Sequence, residues 1–137
     1  MRSSGRSGRT DTVIFDTDVL VWALRGKVTA AALMETDADR QVSVVTYMEV
    51  LRGARDKRDV GNIKLFLAET GVRILPLTEN IGHRACIYIE EYGLRAGLGV
   101  AGALVAATAV EGRLTLCTGD RKHYRLIADL DVRLFRA

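Results

Sequence analysis

The sequence predicts an α/β domain whose central parallel sheet is covered by helices on both faces. Short apolar runs rich in β-branched and aromatic residues, which are typical of buried strands, alternate along the chain with stretches of helical periodicity. Such alternation is typical of parallel strands connected by covering helices. The length of 137 residues is that of one domain with a sizeable core. We therefore expect a single domain over residues 12–137.

The first predicted strand is the apolar run 13–15, which leads directly into Asp16 and Asp18. Residues 19–24 are also apolar and are predicted to be the buried start of a helix. The two acids therefore follow the carboxyl end of a strand, where open α/β sheets bind their ligands. Because burying a carboxylate without a partner is costly, acids at such a position normally cap a helix, form an ion pair or bind a metal.

The rest of the chain supplies four more strands and the helices between them. Residues 100–110 are apolar on every side apart from Thr108, which indicates a helix buried all round. The glycines at 93, 97 and 99 are predicted to form the loop before that helix. In order, the further predicted elements are helix 27–38, strand 41–45, helices 46–56 and 59–70, strand 72–75, a helix that begins near residue 78, helix 100–110, strand 114–117, helix 121–128 and an edge strand 132–135.

Composition excludes several classes of protein. Residues 1–11 are rich in Arg, Ser and Gly and are predicted to be a disordered leader, native or left from cloning. They lack the apolar segment that a secretory signal requires. Residues 1–10 hold three arginines and no acid, which accounts for the whole net charge of +3, so the basic balance is weak evidence for a nucleic-acid partner. No apolar run approaches the roughly 20 residues of a membrane span. Cys86 and Cys117 match no zinc or redox spacing, and we expect two buried thiols in a cytoplasmic protein.

Three acids from distant parts of the chain, Asp16, Glu49 and Asp120, each fall just past the end of a predicted strand. Each also has a local explanation. Asp16 and Asp120 are typical helix N-caps, and Glu49 completes a capping box with Thr46. The carboxyl ends of parallel strands meet at one edge of the sheet, so we expect the three acids to converge there.

Converging carboxylates repel one another unless a cation lies between them. Oxygen ligands without His or Cys suit a hard cation, Mg²⁺ or Mn²⁺. Such an ion polarises a phosphate and lowers the pKa of an attacking water. The acids therefore indicate hydrolysis of a phosphodiester.

Four blocks of the sequence resemble those of the PIN-domain nucleases, and their length, order and spacing are most similar to the small VapC-type toxins of toxin–antitoxin pairs. The blocks are residues 14–20 (IFDTDVL), 46–53 (TYMEVLRG), 97–101 with 103–109 (GLGVA and ALVAATA) and 116–124 (LCTGDRKHY). The resemblance implies a three-layer α/β/α sandwich with a central parallel sheet of four to five strands. It also implies Mg²⁺- or Mn²⁺-dependent cleavage of RNA by a homodimer that an antitoxin protein neutralises.

The resemblance also assigns roles to individual residues. The metal ligands are expected at Asp16, Glu49 and Asp120, with Thr17 and Thr118 as nearby hydroxyl donors and Asp18 as an additional acid. Basic side chains that follow the acids are candidate RNA contacts. These are Arg52, Arg121 and Lys122.

The chain departs from the family pattern at Gly102, where an Asp is expected. The loss of this carboxylate should weaken metal binding, because each ligand supplies both charge and geometry. Three explanations remain open: a degenerate toxin, a substitution that makes a poisonous protein tolerable, or partial replacement by Asp18. The alternative functions are a catalytically dead PIN module that binds antitoxin or RNA, and a haloacid-dehalogenase-type phosphatase, in which Asp16 would be the nucleophile and Asp18 the general acid.

Overall fold

The described part of the chain is built around a parallel sheet. A computed structural model describes residues 12–26, 30–32, 34 and 39–136. The strands are β1 (Thr12–Phe15), β2 (Asp39–Ser43), β3 (Arg73–Leu75), β4 (Thr115–Thr118) and β5 (Val132–Leu134). Their order across the sheet is β3-β2-β1-β4-β5, and every neighbouring pair is parallel. The predicted α/β class and the edge position of the last strand are confirmed.

The helices follow the predicted alternation with the strands. They are α1 (Thr17–Leu24), α2 (Val44–Arg52), α3 (Lys57–Thr70), α4 (Glu79–Ala96), α5 (Val100–Glu111) and the short α6 (Arg121–Tyr124). The helix predicted over 27–38 lies partly outside the described residues, and within it residues 30–32 and 34 are helical. The predicted leader, residues 1–11, also lies outside them. None of the described helices combines the length and the apolar character that crossing a membrane requires.

Two apolar clusters cover the two faces of the sheet, because successive side chains of a strand point in opposite directions. Ile14 of β1 packs with residues of α4 and α5. Its neighbours Val13 and Phe15 pack with α1 on the other face. Within α5, residues 105–109 are all buried, whereas Val100 is 70% exposed, so the prediction that this helix is buried all round holds only for its later part. The central sheet and its two helical layers are those of the predicted three-layer sandwich.

The strand β2 ends earlier than predicted, and α2 begins at Val44 instead of residue 46. Ser43 caps this helix, since its Oγ accepts a hydrogen bond from the Val45 backbone N–H at 3.0 Å. The capping box between Thr46 and Glu49 is therefore wrong: both residues lie inside the helix. Their side chains are available for other contacts.

Further boundaries differ from the predictions. Helix α4 continues through Gly93 to Ala96 and ends at Gly97, whose φ of 69° is the left-handed conformation that glycine adopts without strain. Helix α6 ends at Tyr124 instead of residue 128. Cys117 is buried as predicted, whereas Cys86 is exposed on α4. Cys86 lies on the helix face that points away from the core.

The strand order places a crevice beside β1. From β1 the chain runs to β2 and β3 on one side, and it returns to β4 and β5 on the other side. Ligands of open α/β sheets bind at such a reversal, outside the carboxyl ends of the strands. Phe15 is paired with Cys117, so Asp16 and Thr118, the residues that come next, start the two walls of this crevice.

Candidate active site

A cleft of about 440 Å³ lies at the carboxyl ends of β1 and β4. Its lining includes four carboxylates and no Lys or Arg side chain. The four acids are Asp16, Asp18, Glu49 and Asp120. The structure thus brings together the three acids that the sequence singled out, and it adds Asp18 to them. This concentration of negative charge is not balanced by Lys or Arg in the cleft wall, and His123 is the basic side chain in its lining.

Asp16 is the most deeply buried of these acids, with 8% of its surface exposed. Its Oδ1 accepts a hydrogen bond from the Thr17 backbone N–H at 2.8 Å, and its Oδ2 accepts one from Thr118 Oγ1 at 2.7 Å. The phenol of Tyr124 is a further hydrogen-bond partner. Burial raises the pKa of Asp16, and these hydrogen bonds oppose the rise. Asp16 is therefore both the N-cap of α1 and a wall of the cleft.

Asp18 connects α1 to the turn after β4. Its Oδ1 accepts a hydrogen bond from the Val19 backbone N–H at 2.8 Å, and its Oδ2 accepts one from the Gly119 backbone N–H at 2.9 Å. Burial raises the pKa of Asp18 to about 6, and the negative charge of Asp16 contributes to the rise. Both carboxylate oxygens hold backbone in place, so Asp18 positions the turn that carries Asp120.

Glu49 reaches the cleft from the middle of α2. Thr17 Oγ1 donates a hydrogen bond to Glu49 Oε1 at 2.7 Å and lies 3.2 Å from Thr46 Oγ1. The side chain of Glu49 is exposed, whereas Thr46 is fully buried. Thr17 therefore connects the start of α1 to Glu49 on α2. Thr17 is one of the two residues that the sequence predicts as hydroxyl donors near the metal ligands.

Asp120 is the N-cap of α6, as its local pattern predicts, and it also faces the cleft. Its Oδ1 accepts a hydrogen bond from the His123 backbone N–H at 3.1 Å, and its Oδ2 lies 2.7 Å from His123 Nδ1. Sequence reasoning assigned no role to His123. The signal that could have found it is the spacing of three residues from a capping acid, which puts the imidazole on the same side of the first helical turn.

Gly102 also lines the cleft, one turn into α5. A Cβ atom built on it would lie 3.1 Å from Leu98 Cδ1 and 3.4 Å from the Tyr124 hydroxyl oxygen. Any side chain at this position would therefore extend beside the phenol that contacts Asp16. Tyr124 itself was missed because an aromatic residue at helical spacing is usually part of the core.

The basic residues proposed to contact RNA lie outside the acidic cleft. Arg52 and Arg121 are exposed and do not line it. Lys122 lines a smaller neighbouring pocket, together with Arg95 and Arg125. Arg95 is a residue that sequence reasoning did not connect with the site, because it lies on a different helix.

The chemistry of the cleft suits a divalent cation. Its donors are carboxylate and hydroxyl oxygens, which hard cations prefer, and their charge is not balanced by Lys or Arg. In the described part of the chain, however, no group of three acidic, His or Cys side chains is close enough to hold a metal ion. The donor atoms are therefore of the kind that such an ion binds, but too few of them lie close together. Gly102 lies beside the acids and contributes no donor.

Residues 13–128 match the family model of the PIN domain. The chain belongs to the PIN domain family. Proteins of this family are generally nucleases, and the nucleases of the family generally use divalent metal ions. A comparison with curated protein sequences finds no significant match.

Solved structures share the fold of this chain. A toxin–antitoxin complex from Klebsiella pneumoniae contains a chain that is 27% identical, with a TM-score of 0.71, and the match covers 87% of this chain and 95% of that one. The match to the DNA-bound VapBC of Salmonella typhimurium has 17% identity and a TM-score of 0.77, and covers 90% and 97% of the two chains. FitAcB from Neisseria gonorrhoeae matches with 24% identity and a TM-score of 0.66, covering 88% and 95%. The latter two show a shared PIN fold.

The pKa of Asp18 predicts a pH-dependent contribution to stability. Its value of about 6 exceeds the ordinary 3.8, so the folded protein binds this proton more tightly than the unfolded chain does. The stabilisation is complete below about pH 4 and is lost as the pH rises through about 6. An Asn at this position does not titrate. The free energy of unfolding of Asp18→Asn should therefore increase relative to that of the wild type as the pH rises from about 4 to about 7.

Urea unfolding of both proteins in EDTA measures this difference. A difference between the two proteins that stays constant over the whole pH range would show that Asp18 ionises normally in the folded protein.

Proposed function

We propose that this chain is the toxin of a toxin–antitoxin pair, a metal-dependent endoribonuclease weakened or inactivated by Gly102. The observation that carries the proposal is the acidic cleft at the switch point of a PIN domain, with four carboxylates and no Lys or Arg in its wall. The similarity to the toxin–antitoxin complex from Klebsiella pneumoniae supports the biological role.

In this proposal Asp16, Glu49 and Asp120 are the metal ligands. A Mg²⁺ or Mn²⁺ ion held by them would polarise the scissile phosphate and lower the pKa of the attacking water. Two threonine hydroxyl groups of the chain orient these ligands. Thr118 holds one oxygen of Asp16 at 2.7 Å, and Thr17 holds one oxygen of Glu49 at 2.7 Å. These bonds restrict the rotation of both carboxylates before any ligand arrives.

The chain also supplies apolar side chains in the wall of the cleft and basic side chains outside it. The wall of the cleft includes the apolar side chains of Val21, Trp22 and Leu98. They lower the local dielectric, which strengthens every electrostatic interaction inside the cleft. The RNA contacts proposed at Arg52, Arg121 and Lys122 would neutralise backbone phosphates outside it.

The partners we propose are RNA, a cognate antitoxin protein and a second copy of the chain, all in the cytoplasm. Support for a protein partner comes from apolar side chains on the surface. Leu94 is fully exposed at the end of α4, and Val100 is 70% exposed directly after Gly99, which lines the cleft. Apolar side chains exposed beside a functional cleft are typical of surfaces that another protein covers. The antitoxin is the occupant we propose for this surface.

Gly102 supports one alternative, a catalytically dead PIN module that still binds antitoxin or RNA. Without a donor at position 102, the cleft as described lacks a group of three close acids. The phosphatase alternative is not retained, because the chain belongs to the PIN family. In addition, both oxygens of Asp18, its proposed general acid, accept backbone hydrogen bonds.

Calorimetric titration with Mn²⁺ tests the proposed ligands. We expect the wild type to bind Mn²⁺ weakly and Asp16→Asn to lose this binding, with a loss of at least about tenfold in affinity. Asn remains a good N-cap, so α1 should be preserved. Glu90→Gln, which removes a carboxylate of α4 outside the cleft, is the matched control. Equal Mn²⁺ affinity for wild type, control and Asp16→Asn would contradict the assignment.

A further inference from the structure

A second, basic pocket adjoins the acidic cleft. It has a volume of about 270 Å³, which is ample for a phosphate group. We call it the basic pocket, and its lining residues are Arg95, Ala96, Gly97, Lys122, His123 and Arg125. Three of these side chains carry a full positive charge, and none of the lining residues is acidic. The two cavities share Gly97 and His123, so they are neighbours on one surface.

The three cations are available to an outside ligand. Arg95, Lys122 and Arg125 are exposed, and in the described part of the chain none of them is joined to a carboxylate, whereas Arg55, Arg73 and Arg84 all are. Unpaired cations brought together from two helices repel one another. An anion between them would relieve that repulsion.

His123 forms the partition between the basic pocket and the acidic cleft. Its Nδ1 lies 2.7 Å from Asp120 Oδ2, and Gly97 faces the opposite edge of the imidazole. A Cβ atom at Gly97 would be 3.6 Å from His123 Cδ2 and 3.7 Å from Nε2. The contact with Asp120 thus places the ring between the two cavities, both of which it lines.

We propose that the basic pocket binds a backbone phosphate of RNA next to the phosphate that enters the acidic cleft. The inference rests on the proposed function, since it takes RNA as the substrate. The acidic cleft by itself repels a polyanion. A neighbouring set of unpaired cations supplies the attraction that the cleft lacks and orients the strand across the partition. Arg95 and Arg125 are the residues that this proposal adds.

A structural role for these side chains predicts a different result. Arg95 lies in the last turn of α4, where a basic residue complements the negative end of the helix dipole. If this were its whole contribution, Arg95→Gln would lower the melting temperature slightly and leave RNA binding unchanged. Affinity for RNA therefore distinguishes the two roles.

The test measures binding of a fluorescently labelled single-stranded RNA of about 12 nucleotides by anisotropy, in EDTA so that no cleavage occurs, between about 50 and about 200 mM salt. We expect Arg95→Gln and Arg125→Gln each to weaken binding about three- to tenfold at the lowest salt. The double variant should reduce the slope of log K against log salt by up to about 0.7, since the basic pocket holds one phosphate and each phosphate contact on a single strand contributes about 0.7. The control is Lys64→Gln/Arg113→Gln, which removes the same charge from exposed positions that line neither cavity.

The outcomes separate this inference from the proposed function. If the wild type and the control bind RNA, and the double variant binds it equally well with the same salt slope, the phosphate site is overturned and the proposed function stands. The phosphate site is likewise overturned if the double variant loses affinity only for a short oligoglutamate, because the pocket would then belong to an acidic protein segment. If the wild type binds no RNA at the lowest salt, the choice of RNA as substrate fails together with the inference.

Discussion

Replacement of Gly102 by Asp should raise metal-dependent cleavage of RNA by at least about 100-fold. Loss of a residue that merely supports a metal ligand costs about 10–100-fold in affinity or activity, and gain of a direct donor should exceed that. Position 102 faces the cleft, with its added Cβ directed toward the Tyr124 phenol that contacts Asp16. An Asp there would give the cleft the donor that it lacks.

The structure accommodates this substitution with a small adjustment. The 3.1 Å approach of the new Cβ to Leu98 Cδ1 requires a shift of a few tenths of an ångström, and the atom concerned is the end of a flexible side chain. Replacing a glycine inside α5 also stabilises the helix, by less than about 1 kcal/mol. The fold should therefore be retained, and Mn²⁺ titration should show tighter binding in parallel with the faster cleavage of total RNA.

Two controls isolate the effect of the carboxylate. Gly102→Ala adds the Cβ without a donor and should leave cleavage at the wild-type level. Gly82→Asp adds the same charge in the first turn of α4, outside the cleft, where nothing lies within 4 Å of the new Cβ, and should likewise leave cleavage at the wild-type level. If Gly102→Asp folds normally but binds no Mn²⁺ and cuts no RNA, the cleft is not the metal site of a nuclease.

The sequence predicts the elements of this fold well because each depends on local periodicity. Boundaries are harder, because they depend on which of several adequate residues the chain uses. Val44 and Val45 favour a strand as β-branched residues, yet the cap provided by Ser43 starts the helix there. Gly93 and Gly97 are equivalent by type, and only the folded chain shows that Gly97, with its φ of 69°, is the glycine that ends α4.

The same distinction applies to the site. Asp16 and Asp120 are predictable, because each directly follows a strand and parallel strands end at one edge. Glu49 lies in the cleft as well, although the capping box assigned to it does not exist. Tyr124, Leu98 and His123 are not predictable, since their place in the cleft follows from how α5 and α6 pack against the sheet. Site residues at strand ends can therefore be predicted from the sequence, whereas site residues that helix packing brings into the cleft can be identified only from the structure.

Substitution of Gly119 by Ala should destabilise the turn that carries Asp120. A Cβ at this position would lie 2.8 Å from Trp22 Cη2, closer than real Cβ atoms approach, and 3.0 Å from Asp18 Oδ2, a tight contact. Trp22 has little room to retreat, because its ring packs against that of Phe135 with the centroids 5.5 Å apart. Overpacking of this kind costs about 1–3 kcal/mol. We expect a fall in melting temperature of about 4–12 °C, since 1 kcal/mol corresponds to about 4 °C in a domain of this size.

Trp22 makes the effect observable at the site itself, since it is the single tryptophan of the chain. Its fluorescence should shift in Gly119→Ala, as the indole or the Asp18 carboxylate moves to admit the new methyl group. Gly61→Ala is the matched control: the same change within α3, with nothing within 4 Å, should stabilise the protein by about 0.5–1 kcal/mol and leave the fluorescence unchanged. If Gly119→Ala instead melts at the same temperature as the control and shows the wild-type emission, then the turn has room for a side chain at position 119.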